Sequence, residues 1–162
     1  MKMPEPEKFI LNLEKASQSL RTADHLTYMT FPLLKENRLL LKILEEIHSS
    51  LIDIMNAVLQ YEYTYKRIQI YKDARENFNT FRAIAKRYNI KEEQINKIIE
   101  ILRLEESHKK SPFEFVRNGK IVIMSDNLKT STITLGKMKE YLLEVKDILR
   151  KANFVIRLTQ KY

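Results

Sequence analysis

Between positions 40 and 65 the apolar residues Leu40, Leu44, Ile47, Leu51, Ile54, Val58, Tyr61 and Tyr65 recur at alternating intervals of four and three. An α-helix collects residues so spaced on one stripe, whereas a β-strand, with its period of two, scatters them over both faces. The stripe must be buried, and antiparallel helix packing at crossing angles near +20° suits it. Leu41, Ile43, Ile52 and Met55 lie beside the seam and widen the apolar face, which favours a bundle over a two-stranded coiled coil.

The same rhythm recurs along the chain. Phe9, Leu13, Ala16, Leu20 and Ala23 predict a first helix starting after Pro6. The pattern breaks near Thr30-Phe31-Pro32, where proline disfavours helical geometry in the residue before it and suits the first position of a second helix. Ala74, Phe78, Phe81, Ala85 and Tyr88 predict a third helix over residues 73–88, followed by a corner at Tyr88-Asn89-Ile90. Ile95, Ile98, Ile99, Leu102 and Leu104 mark a fourth, which the polar run Glu105-Glu106-Ser107-His108-Lys109-Lys110-Ser111 and Pro112 bring to an end. Phe113, Phe115, Ile121 and Ile123 then alternate around Arg117-Asn118-Gly119, and an Asn-Gly pair between alternating segments predicts a β-hairpin. From about Thr132 to Leu158, Leu135, Met138, Leu142, Val145, Leu149, Ala152 and Ile156 form the seam of a last helix, the natural partner of the second. The expected fold is all-α: one domain over residues 1–162, an antiparallel helical bundle of about five helices, with a small β-hairpin before the last helix.

Composition supports this and narrows the chemistry. Two glycines and four prolines in 162 residues are too few for a turn-rich β fold. The absence of cysteine excludes disulfides, zinc–thiolate sites and thiol nucleophiles, and suits a reducing, cytoplasmic setting. The N-terminal stretch lacks the apolar core of a signal peptide, and no window approaches the ~20 apolar residues of a membrane span, so no membrane partner is expected. Gly119 and Gly136 stand apart, so no phosphate-cradling loop is present, and no Gly-x-Ser-x-Gly elbow occurs. His25, His48 and His108 are too widely separated for a helix-borne metal pair; neither a metal nor a cofactor is expected. The net charge of +8 sits in the C-terminal two thirds and points to a polyanionic partner, solubility being the plainer alternative.

Arg103-Leu104-Glu105-Glu106-Ser107-His108 sets an arginine and a histidine with four residues between them, at the end of a helix and the start of a loop. In this the chain resembles the HEPN superfamily (higher eukaryotes and prokaryotes nucleotide-binding), small helical bundles marked by an arginine, a short gap and a histidine near a late loop. The order of helical hairpin, further helices, motif and closing helix is also alike. Leu104 stands where that family usually has a polar residue. For members with activity, the resemblance implies metal-independent RNA cleavage by a homodimer. Arg103 would then stabilise charge on the phosphate and His108 would act as general acid or base, a pairing that suits cleavage beside a 2′-hydroxyl. Other members bind nucleotides or protein partners without cleaving. His108, Lys109, Lys110, Arg117 and Lys120 form a cationic stretch suited to phosphate contacts in either case.

Residues 63–91 carry eight basic and two acidic side chains among Tyr63, Tyr65, Tyr71, Phe78, Phe81 and Tyr88. Lys66, Arg67, Arg75, Arg82, Lys86 and Arg87 are candidate RNA contacts there, with aromatics for stacking; Tyr63 and Tyr71 are the aromatics expected outside the core. Ala85, Asn89, Ile95 and Ile98 also fit a helix-turn-helix spacing, but Glu92 and Glu93 open the would-be recognition helix and would repel DNA, so an ordinary αα-corner is the better reading. The function alternative from another class is a noncatalytic bundle whose amphipathic helices bind a protein partner.

Overall fold

The computed structural model describes residues 5–159, with side chains from 8 to 158. Six α-helical segments are described: α1 (Glu5–His25), α2 (Phe31–Leu34), α3 (Leu39–Thr64), α4 (Ala74–Ile84), α5 (Glu92–Lys110) and α6 (Leu135–Thr159). They accompany one antiparallel sheet of β1 (Phe113–Arg117), β2 (Lys120–Met124) and β3 (Thr130–Ile133), in the order β1-β2-β3. The chain is therefore mostly helical rather than strictly all-α, and the hairpin expected before the last helix has gained a third strand.

The seams fill the core. Phe9, Leu13, Ala16, Leu20 and Ala23 of α1 are buried against the α3 stripe from Leu40 to Tyr61, and Met138, Leu142, Val145, Ala152 and Ile156 of α6 join them. Ser50 of α3 donates its hydroxyl to the Ala16 carbonyl (2.8 Å), and Phe9 meets the edge of the Tyr61 ring, so these two helices run in opposite directions. Gln94 donates to Asp147 (2.8 Å) and Tyr141 to Glu100 (3.2 Å), which sets α5 against α6. Tyr65, placed in the α3 seam by spacing, lies past the last turn of α3 and is 45% exposed.

Three boundaries depart from expectation, each for a local reason. Pro32 does not end the first helical run. Leu26–Thr30 forms a π-turn that leads straight into α2, whose opening position tolerates proline, and the break comes later, at left-handed Lys35 (φ 51°). Second, α5 continues through the polar run to Lys110, with His108, Lys109 and Lys110 complementing the negative pole of its last turn. Third, α6 starts at Leu135 rather than near Thr132, because Thr130–Ile133 pairs with β2 and the Thr134 hydroxyl accepts from the Lys137 N–H (3.1 Å) as a cap. The Asn118-Gly119 turn and left-handed Asn89 fall where the sequence put them, and Arg117 faces Lys120 across the hairpin end.

One buried charge ties the end of α3 to the segment after α4. Glu62 is 1% exposed. Its Oε2 accepts from Arg67 (2.9 Å) and Arg87 (3.2 Å), and its Oε1 from the Tyr88 hydroxyl (3.1 Å). The Arg67 guanidinium also lies against the Tyr61 and Tyr65 rings. Burial, and then Glu62, push the Tyr88 hydroxyl far above its ordinary value, so it stays a donor. Removing both arginines leaves the buried carboxylate with the Tyr88 hydroxyl but without its two charge partners. Arg67→Ala with Arg87→Ala is expected to cost about 3–5 kcal/mol in urea unfolding, with most of it recovered by adding Glu62→Gln. Equal midpoints for the double and triple variants would contradict this role.

Candidate functional site

The continuation of α5 decides how its motif is presented. Five helical steps separate Arg103 from His108, which turns them about 140° apart around the axis. Arg103 is exposed and forms no hydrogen bond or ion pair among the described residues. It forms the common wall of two neighbouring hollows. One, of about 470 Å³, lies between α5, β3 and α6 and is lined by Ser107, Thr130, Ser131, Thr132, Lys137 and Tyr141, with Glu100 at its side. The other, of about 510 Å³, is bordered by Glu106, Lys110, Ser111, Ser125, Asp126 and Asn127.

In the first hollow Arg103 and Lys137 outnumber Glu100, whose carboxylate accepts from Tyr141 and lies 3.6 Å from Lys97. Lys137 is aimed by donating to the Thr132 carbonyl (3.0 Å) and hydroxyl (3.3 Å). Burial, then Glu100, raise the Tyr141 hydroxyl well above its usual value, so it too remains a donor. Two cations, four aliphatic hydroxyls and a phenol make this a hollow for an oxyanion on a polar body, at a volume typical of small-ligand sites. In the second hollow Glu106 and Asp126 balance Arg103 and Lys110, and Lys110 is already paired with Glu106 at 2.7 Å.

His108 faces another group of residues. Its Nδ1 is 2.5 Å from Glu114 Oε1 of β1, its Nε2 is 3.6 Å from Glu45 of α3, and its side chain is 17% exposed. Glu105 is buried beside it, with Oε2 lacking a partner among the described residues and Oε1 3.8 Å from Lys109. Burial raises the Glu105 carboxyl above its ordinary value, against the lowering effect of His108 and Lys109. Burial, and then Lys109, lower the nearby His48. The imidazole therefore pins β1 to α5 and α3, and it lines neither of the two hollows that Arg103 borders.

The other proposed cations divide into three groups. Arg67 and Arg87 are engaged by buried Glu62, and Arg82 pairs with Glu92 at 2.6 Å. Lys110 forms an exposed pair with Glu106, which holds weakly, and exposed Lys109 lies 3.8 Å from buried Glu105. Lys66, Arg75, Lys86, Arg117 and Lys120 are exposed without a hydrogen bond or ion pair from their side chains among the described residues. Of the aromatics, Tyr63 and Tyr71 are exposed, while Phe81 and Tyr88 are core. The structure thus does not gather residues 63–91 into one free cationic face. Sequence reasoning missed Lys137, Tyr141 and Thr130–Ile133; a β-branched run ahead of a threonine cap was the available signal.

Among the described residues no group of three or more His, Asp or Glu is arranged to hold a metal, and no helix is long and apolar enough to cross a membrane. No protein-family model, curated protein or solved structure matches the chain.

The sign of the Glu105 effect is testable. A carboxyl whose value is raised by folding favours the folded state when protonated, and this contribution is lost as pH rises past the ordinary 4.5 and through the raised value. Glu105→Gln mimics the protonated form. It is expected to raise the thermal midpoint at pH 7.5, with the gain disappearing below about pH 4.5. A loss of stability at pH 7.5 would show that ionised Glu105 is needed by its neighbours.

Proposed function

We propose that the chain is a HEPN-like antiparallel helical bundle that binds RNA or nucleotides, working in the cytoplasm and without catalysis. The observation that carries this reading is the Arg103 guanidinium, without a partner among the described residues, at the wall of a hydroxyl-lined hollow that Lys137 also borders. A phosphate there would take charge-assisted donors from both cations, and the threonine and serine hydroxyls suit a ribose. The noncatalytic form is preferred because the imidazole that general acid–base chemistry would need is held between Glu114 and Glu45, on another side of α5. The protein-partner alternative, a second copy included, rests on Leu143 and Phe154. Both are about two-thirds exposed, and they lie eleven residues apart on one stripe of α6.

Calorimetric titration with adenosine and uridine monophosphates tests the proposal. Saturable binding is expected, weakened about tenfold or more by Arg103→Ala, in keeping with loss of one charge-assisted contact. No binding by the unaltered chain would remove the nucleotide reading and leave the α6 stripe as the surface to pursue. Labelled RNA kept with the protein in a chelator is expected to stay intact; cleavage that disappears in His108→Ala would replace this proposal with the ribonuclease one.

A further inference from the structure

We infer that the outer face of the three-stranded sheet is a stacking platform for unpaired bases of a single-stranded nucleic acid. This deepens the RNA-binding reading above and rests on it; its rings and cations lie outside the Arg103 hollow, which it meets only at Thr130 and Thr132 of β3.

Strand register fixes which side chains share that face. Ile121, Ile123 and Ile133 are buried beneath the sheet, and Glu114 and Val116, paired with Ile123 and Ile121, lie on the same inner side. Alternation then puts Phe113, Phe115 and Arg117 of β1 outward, beside Lys120, Val122 and Met124 of β2. Phe113 is 65% exposed and Phe115 42%. Thr130 and Thr132 of β3 complete the row opposite Met124 and Val122.

Three features of this face select its occupant. Two phenyl rings, two residues apart on one strand, stand largely in water, so a ligand with flat apolar surface that covers them is rewarded there. The outer row contains two cations and no acid, and neither Arg117 nor Lys120 has a carboxylate partner among the described residues, so a polyanion is favoured over an acidic or neutral protein strand. On the far strand Thr130 and Thr132, whose hydroxyl already accepts from Lys137, border both this face and the Arg103 hollow, so a strand lying across the rings would reach that hollow at β3. Exposed rings for bases with cations beside them for the backbone is how sheets hold single strands, and it discriminates against duplexes, whose bases are already stacked.

The test uses a fluorescein-labelled twelve-nucleotide oligouridylate, its deoxy counterpart and a twelve-base-pair RNA duplex, read by anisotropy with the full chain. Binding to the single strands is expected to exceed binding to the duplex by about tenfold or more. Phe113→Leu and Phe115→Leu, which keep apolar bulk on exposed positions, are each expected to weaken it about tenfold at unchanged thermal midpoint. Because the chain has no tryptophan, Phe115→Trp gives a single reporter whose emission is expected to be quenched as unlabelled oligouridylate stacks on it. Equal binding of the ribo and deoxy strands supports the platform, since every base has a π-face; a ribose preference supports it with a sugar contact added. Leucine variants that bind like the unaltered chain, or indole emission from the Phe115→Trp variant that does not change at saturation, overturn it. Loss of self-association in the leucine variants, with single-strand binding untouched, would assign the face to a second copy instead. Mononucleotide binding without oligonucleotide binding sinks the platform alone, whereas absence of both sinks the parent reading as well.

Discussion

Helix α5 keeps its hydrogen-bonded turns from Glu92 to Lys110, and that continuity sorts its later side chains into separate environments. Arg103 and Ser107, four residues apart, face β3 and the start of α6. Glu105 and His108, three apart, face α3 and β1, where Glu45 and Glu114 wait. Had the helix ended at Leu104, the chain after it would have been free to swing His108 back toward Arg103. Its extra turn and a half, favoured by cations at the negative pole, separates the guanidinium from the imidazole.

The same competition between local pairing and free presentation shapes the rest of the charge. A count of lysines and arginines treats each as available, yet buried Glu62 draws in Arg67 and Arg87, and Asp147 draws in Arg150 and Lys151. Burial pushes the Asp147 carboxyl up, but donation from Arg150, Gln94 and Lys151 outweighs it and holds the value at about 2. Among the described residues the proposed cations left without a pair are Arg103 at its two hollows, Arg117 with Lys120 at the hairpin end, and Lys66, Arg75 and Lys86. An electrostatic footprint is set by these residual charges, and the net +8 only bounds it.

The helical seams were legible because burial imposes a period that solvent does not: every seam residue named in α1 is core, as is the α3 stripe up to Tyr61. The Asn118-Gly119 turn and the Asn89 corner were legible because few residues accept a left-handed backbone. Helix ends were less so. A polar run reads as a stop, but in α5 it continues the helix with Glu105 buried and His108 packed between Glu45 and Glu114, while Glu106, Lys109 and Lys110 face solvent. Neither Glu62's partners nor the Glu114–His108 contact left a mark in sequence spacing, since both join residues from separate elements. The hollow at Arg103 is of the same kind: its walls come from α5, β3 and α6, and only the arginine stood out beforehand.

The claim that these residual cations and exposed rings form a nucleic-acid surface is tested most directly by the salt dependence of the unaltered chain's affinity for single-stranded RNA. With contacts from Arg117, Lys120 and Arg103, log K should fall linearly with log salt at a slope of about −2, near 0.7 for each phosphate neutralised on a single strand. Absence of binding at low salt, or an affinity indifferent to salt, would contradict it and leave a well-packed helical protein whose partner must be sought along α6.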